Sequence, residues 1–99
     1  MSKRYVMALD EGSSSARAVL VDMEGRIVAE ARNPIVPLFP RPGWVELDPM
    51  ALWQAQRDSM RAVMARQGAG AGDIAAIGIP THRETCLIWD RKTGEPRHP

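Results

Sequence analysis

Asp10, Ser13, Ser14, Ser15 and Arg17 fall within eight residues of a 99-residue chain, in the run Ala8-Leu9-Asp10-Glu11-Gly12-Ser13-Ser14-Ser15-Ala16-Arg17. A turn that presents backbone N–H groups and hydroxyls can cradle an anion such as a phosphate, and Arg17 adds a fixed cation beside it. Asp10 stands where a carboxylate could hold a magnesium ion through its water shell. Taken alone, a polar hairpin tip without chemistry is the better account of these residues, because a short motif is only a hypothesis. Arg83-Glu84 forms a second group. Side by side at the end of a strand, they offer a donor fork and an acceptor pair to the hydroxyls of a small polyol. From the residues alone, a surface ion pair worth under about 1 kcal/mol is again the better account.

Both groups need elements to hold them. Apolar Val6–Leu9 and Ala18–Val21 predict two largely buried strands on either side of the first group, with Gly12 giving freedom for the reversal. The expected strands are Tyr5 to Asp10, Arg17 to Asp22 and Arg26 to Arg32, a three-stranded meander. Pro34, Pro37, Pro40 and Pro42 exclude regular structure from Asn33 to Gly43. Ile35, Val36, Leu38 and Phe39 predict that this segment packs on the domain. Asp48-Pro49 is a helix start, with Asp48 as N-cap and proline in the first turn. Leu52, Trp53, Gln56, Met60, Val63, Met64 and Gln67 recur at helical spacing and predict a core-facing stripe, which Gly68 ends. Gly68 to Gly72 reads as a flexible connector; it neither follows a strand nor carries the lysine of a nucleotide loop. Ile74 to Ile79 is expected as a strand parallel to the first, since a helical crossover precedes it. Thr85 to Asp90 is expected as a further strand, with a turn at Lys92–Pro96. The fold class is α/β: meander, helix, then further strands.

Composition narrows the function classes. A hydrophobic fraction of 44% and a charged fraction of 25% are ordinary for a globular chain. A net charge of +1 with scattered basic residues gives no field for nucleic acid or for an anionic membrane. The apolar stretches fall short of the roughly 20 residues of a membrane helix. Asp10 and Glu11 interrupt the amino-terminal apolar run too early for a signal peptide. A cytoplasmic location is expected. The single Cys86 fits a reducing compartment and is expected to be a buried apolar residue on a strand. Neither His82 nor His98 has metal-ligand spacing, so no structural zinc site is expected.

The segment from Leu9 to Val19 resembles the amino-terminal phosphate loop of the FGGY carbohydrate kinases, and of the glycerol kinases among them. Pro42-Gly43-Trp44-Val45-Glu46-Leu47-Asp48-Pro49-Met50, with Leu52-Trp53, is similar to a second block of that family. Ile74-Ala75-Ala76-Ile77-Gly78-Ile79, Arg83-Glu84-Thr85 and Ile88-Trp89-Asp90 are similar to a third. The blocks stand in the family's order and spacing and cover nearly the whole chain. The phosphate loop marks the wider group of sugar kinases; Arg-Glu-Thr after a glycine-containing strand points to glycerol.

The resemblance implies a partial actin-like ATPase (ribonuclease H-like) domain, with residues 1–99 as the amino-terminal part of the first of two such domains and the second absent. It implies that the parent enzyme uses ATP and Mg2+ to phosphorylate glycerol to sn-glycerol 3-phosphate, and it leaves a homo-oligomeric parent open. Ser13, Ser14, Ser15 and Arg17 would contact the nucleotide phosphates, Asp10 would orient hydrated magnesium, and Arg83 and Glu84 would bind glycerol. Ser13 and Ser14 replace threonines of the pattern and keep the hydroxyls. Glu11 replaces a glutamine, a second negative charge that weakens nucleotide binding unless it points away from the cleft. Pro80-Thr81-His82 replaces residues that carry supporting amides. No position matches the family's general base or adenine subsite, so the 99 residues alone are expected to be inactive. The alternatives are a piece of another sugar or polyol kinase and a non-catalytic remnant.

Overall fold

The structure, a computed structural model, describes residues 4–12, 14–80 and 86–97. Three antiparallel strands come first: β1 (Tyr5–Glu11), β2 (Ser15–Asp22) and β3 (Ile27–Pro34). Helix α1 (Pro49–Gln67) then crosses one face and delivers the chain to β4 (Ile74–Gly78), parallel to β1. The sheet order is β3-β2-β1-β4. The meander, the helical crossover and the parallel fourth strand are those predicted. Proline ends β3 at Pro34, tolerable because β3 has a sheet neighbour on one side only.

Local chemistry fixes the reversals. At the β2–β3 turn the Asp22 carboxylate accepts the N–H groups of Glu24 and Arg26, both at 2.9 Å, and Gly25 takes the left-handed backbone at φ 84°. The N–H of Arg26 foremost, then that of Glu24 and the Arg26 guanidinium, hold the Asp22 carboxyl below its ordinary value against a smaller desolvation effect. Asp48 caps α1 through the N–H of Met50 at 3.0 Å, and Gly68 closes it at φ 65°. An alanine in place of that N-cap would typically cost about 1 kcal/mol.

Helix α1 lies over β2 and β3. Ala16, Ala18 and Leu20 of β2 are fully buried beneath it, facing Ala55, Ser59 and Val63 at four-residue steps. Small side chains on both surfaces let the helix axis approach the sheet closely. Two apolar clusters result. Tyr5, Met7, Ala18, Leu20, Ala31 and Val63 form one; Ala16, Ile35 and Ala55 form the other. A polar row joins α1 to the sheet. Asn33 Nδ2 donates to Ser59 Oγ at 2.9 Å, Ser59 Oγ lies 3.2 Å from the carbonyl of Ala16, and Gln56 Nε2 donates to the carbonyl of Arg17 at 3.0 Å.

Several expectations need correction. The predicted helix stripe holds at Gln56 and Val63, which are buried, and at Met60 and Met64, which pack half-buried on the core, but the seam also takes in Ala55 and Ser59, and Trp53 is 50% exposed. Of the proline-rich segment only Ile35 is buried; Val36 and Phe39 are exposed, and Leu38 instead pairs with Glu46 through two backbone hydrogen bonds. The connector after α1 is not free: Ala71–Asp73 forms one 3₁₀ turn, closed by Gly70 N–H on the Asp73 carboxylate at 2.9 Å. Over 86–90 there is no strand but a single bridge, Trp89 to Pro96, and Cys86 is exposed. Among the described residues that segment pairs with no strand of the sheet, whose last strand ends at Gly78. The turn at Lys92–Pro96 is present, with Gly94 at φ 77° and the Asp90 carboxylate accepting the N–H groups of Lys92 and Thr93.

Candidate functional site

Strand pairing brings the first group of residues together. Asp10 and Arg17 are direct partners in the β1–β2 ladder, one on each side of the turn. Their side chains meet, with Arg17 Nη2 at 3.5 Å from Asp10 Oδ2. Ala16 and Ala18, on either side of Arg17, are sealed under α1, so alternation along the strand turns Arg17 and Asp10 to the opposite, open face. Arg17 Nη1 also reaches Glu30 Oε1 on β3, at 3.2 Å. A carboxylate and a guanidinium therefore stand at the mouth of the hairpin, both in contact with solvent.

Glu11 pairs with Ala16 and so belongs to the face that carries α1, away from Asp10 and Arg17. Its extra charge is on the other side of the sheet from the candidate phosphate site.

The turn differs from expectation in one respect. Gly12 is not in the left-handed region, and a Cβ there would meet nothing nearer than the Ser15 carbonyl at 3.7 Å. The reversal therefore does not require glycine. Gly12 N–H donates inward to the Ser15 carbonyl at 2.9 Å, so it closes the hairpin and does not point outward as an anion donor. The Ser14 carbonyl accepts the N–H of Ile35 at 2.8 Å, which ties the turn to the end of β3. Ser14 is exposed and Ser15 half-buried.

Ser13, Arg83 and Glu84, together with Thr81 and His82, lie outside the described residues. The register pairs Gly78 with Ala8, so β4 ends at the same end of the sheet at which β1 enters its turn. The chain thus leaves β4 next to β1 at the end that carries Asp10, with Arg17 one strand further on.

Among the described residues no three His, Cys, Asp or Glu side chains gather as a metal cluster. A lone, largely exposed carboxylate such as Asp10 suits a cation that keeps most of its water, as Mg2+ does, and not a dehydrated one. Glu30 beside Arg17, and Asn33 and Ser59 in the polar row under β2, are contacts of the candidate site that the sequence did not single out, whereas Gln56 was expected only as part of the helix stripe. Ser59 was open to discovery through its four-residue spacing from Ala55 and Val63; Glu30 was not, because its reach to Arg17 depends on the β2–β3 register.

The chain is 51% identical over 94 residues to a glycerol kinase of Variovorax paradoxus, covering 95% of this chain and 19% of that protein. It superposes on a glycerol kinase of Plasmodium falciparum solved with ADP, with a TM-score of 0.84 at 26% identity, covering 98% of this chain and 20% of the other. A xylulose kinase from Rhodospirillum rubrum matches with a TM-score of 0.73 at 33% identity, again over 97% of this chain and 20% of the other. The chain thus spans about a fifth of the length of the relatives it matches. The fold is of the actin-like ATPase type that the sequence led us to expect. Residues 5–98 match the model of the N-terminal domain of the FGGY family of carbohydrate kinases, and the chain belongs to that family.

Proposed function

We propose that this chain is the amino-terminal part of the first actin-like domain of an ATP-dependent glycerol kinase, and that its hairpin binds the phosphates of the nucleotide. The observation that carries the reading is the cross-strand pair Asp10–Arg17 at the mouth of the β1–β2 turn. Its context supports it: the glycerol kinase relative is 51% identical over nearly the whole chain.

Phosphoryl transfer asks a protein mainly for positioning and charge compensation. Arg17 would meet the charge of the phosphate oxygens, and the hydroxyls of Ser13, Ser14 and Ser15 would donate to them. Asp10 would orient hydrated Mg2+, which supplies further neutralisation of the phosphates when bound. Arg83 and Glu84 would take the glycerol hydroxyls, the guanidinium as donor and the carboxylate as acceptor. The general base and the adenine subsite would come from the rest of the parent enzyme.

A second reading is another sugar kinase of the family, favoured by the likeness to a xylulose kinase. A substrate panel on the full-length enzyme separates the two. Glycerol should be phosphorylated with the highest kcat/KM, and xylulose and other pentuloses poorly. A pentulose preferred over glycerol would replace the first reading by the second.

A further inference from the structure

Three charged side chains from three strands meet on the open face of the sheet. Arg17 on β2 sends Nη2 toward Asp10 on β1, at 3.5 Å, and Nη1 to Glu30 on β3, at 3.2 Å. Asp10 is the direct partner of Arg17, whereas Glu30 pairs with Val19 and reaches Arg17 along the diagonal. Long side chains bridge such diagonals readily. The place of Glu30 is fixed from behind: its backbone carbonyl accepts a hydrogen bond from Arg66 near the end of α1. Its carboxylate also has Arg32 at 3.9 Å.

Both terminal nitrogens of Arg17 therefore face carboxylates before any anion arrives. Its Nε is buried with no partner among the described residues. A phosphate that uses Arg17 must take Nη1 from Glu30 or lie beside that negative charge. We propose that Glu30 is a positioning residue that competes with the nucleotide phosphates for Arg17, holding the guanidinium between β1 and β3 in the empty site and lowering nucleotide affinity. This rests on the reading of Arg17 as a phosphate ligand. The Glu30 side chain is 45% exposed and that of Arg17 34%, so the pair is screened by water and salt. It is strong enough to orient a flexible side chain and weak enough to yield to a polyanion.

The sign of the effect separates competition from mere support. A residue that only stabilised the site would weaken nucleotide binding when removed. In the full-length enzyme, Glu30→Gln should instead tighten ADP binding, read by calorimetry, by about two- to fivefold, the range of an exposed ion pair. The gain should shrink as ionic strength rises. Glu30→Asp, which keeps the charge, should stay nearer wild type. The gain should vanish when Glu30→Gln is made in an Arg17→Ala background. Unchanged or weaker binding in Glu30→Gln, or tightening that survives loss of Arg17, would overturn the proposal while leaving the nucleotide site standing. An Arg17→Ala enzyme with wild-type kcat and ATP KM would overturn the phosphate reading and this proposal together.

Discussion

Ala16 and Ala18, both sealed under α1, leave Arg17 only one face of the sheet on which to place its guanidinium. Direction at the site thus follows from two small apolar neighbours, and the register opposite Asp10 follows from the length of the turn. This much was legible in the sequence: a carboxylate before a short turn and an arginine after it must come together once both flanks are strands. The inward bond of Gly12 was not legible, because a glycine in a turn is compatible with many backbone conformations. Nor was Glu30, whose partner is chosen by a diagonal across the sheet. For the acceptor side the expected role of Arg83 can be tested by its kinetic signature. In the full-length enzyme, Arg83→Ala should raise the glycerol KM about ten- to a hundredfold and leave the ATP KM nearly unchanged, the loss of one charge-assisted hydrogen bond. An unaltered glycerol KM would remove Arg83 from the acceptor site.

At the scale of elements, the helix is held to the site by polar contacts as well as by apolar burial. Ser59 accepts from Asn33 of β3 and sits against the carbonyl of Ala16, the residue just before Arg17. Ser59→Ala would take from the half-buried Asn33 amide its 2.9 Å acceptor and leave it only the Ala55 carbonyl at 3.5 Å. It should cost about 1–2 kcal/mol of stability by urea denaturation. Combined with Asn33→Ala it should cost less than the sum of the two, since both remove the same bond; strict additivity would mean that the row contributes nothing as a unit. The β2–β3 turn offers a pH test. The folded pKa of Asp22 is depressed, chiefly by the N–H of Arg26, so its contribution is complete above the ordinary aspartate value and is lost as pH falls through the lower folded value. Carboxyl NMR titration should place its midpoint below that of an unstructured aspartate, and Asp22→Asn should abolish the associated amide shifts of Glu24 and Arg26. The helix ends, the meander and the parallel direction of β4 were legible, because caps, apolar periods and a helical crossover are read from the chain itself. The helix face was legible too: Gln56 and Val63 are buried, and Leu52, Met60 and Met64 pack half-buried against the core. What escaped was its centre at Ala55 and Ser59 and the exposure of Trp53, a matter of fit to the alanines of β2, far away in sequence.

At the scale of the molecule, and among the described residues, the sheet is covered by α1 on one face, over β2 and β3. Asp10 and Arg17 stand on the uncovered face, and an apolar cavity of about 430 Å³ between α1 and β4, lined by Met7, Met60, Met64, Ile74 and Ile77, opens to solvent. Among the described residues no helix is long and apolar enough to cross a membrane. Catalysis of phosphoryl transfer gains from excluding water and from fixed charges that compensate the transferring group on all sides. In the proposed reading the hairpin would supply one carboxylate and one guanidinium to that group, and both side chains are in contact with solvent. A positioned general base typically contributes about 10²–10⁴-fold, and in the proposed reading that base would come from the rest of the parent enzyme. The expected outcome is that the 99-residue polypeptide, purified alone and supplied with ATP, Mg2+ and glycerol, forms no glycerol phosphate above background in a coupled assay. The full-length enzyme under the same conditions should turn over, and Arg17→Ala should lower its kcat more than it raises the glycerol KM, since charge on the transferring group is greatest in the transition state. Turnover by the short chain would mean that the hairpin face carries a complete catalytic set and that no second domain is needed to close it.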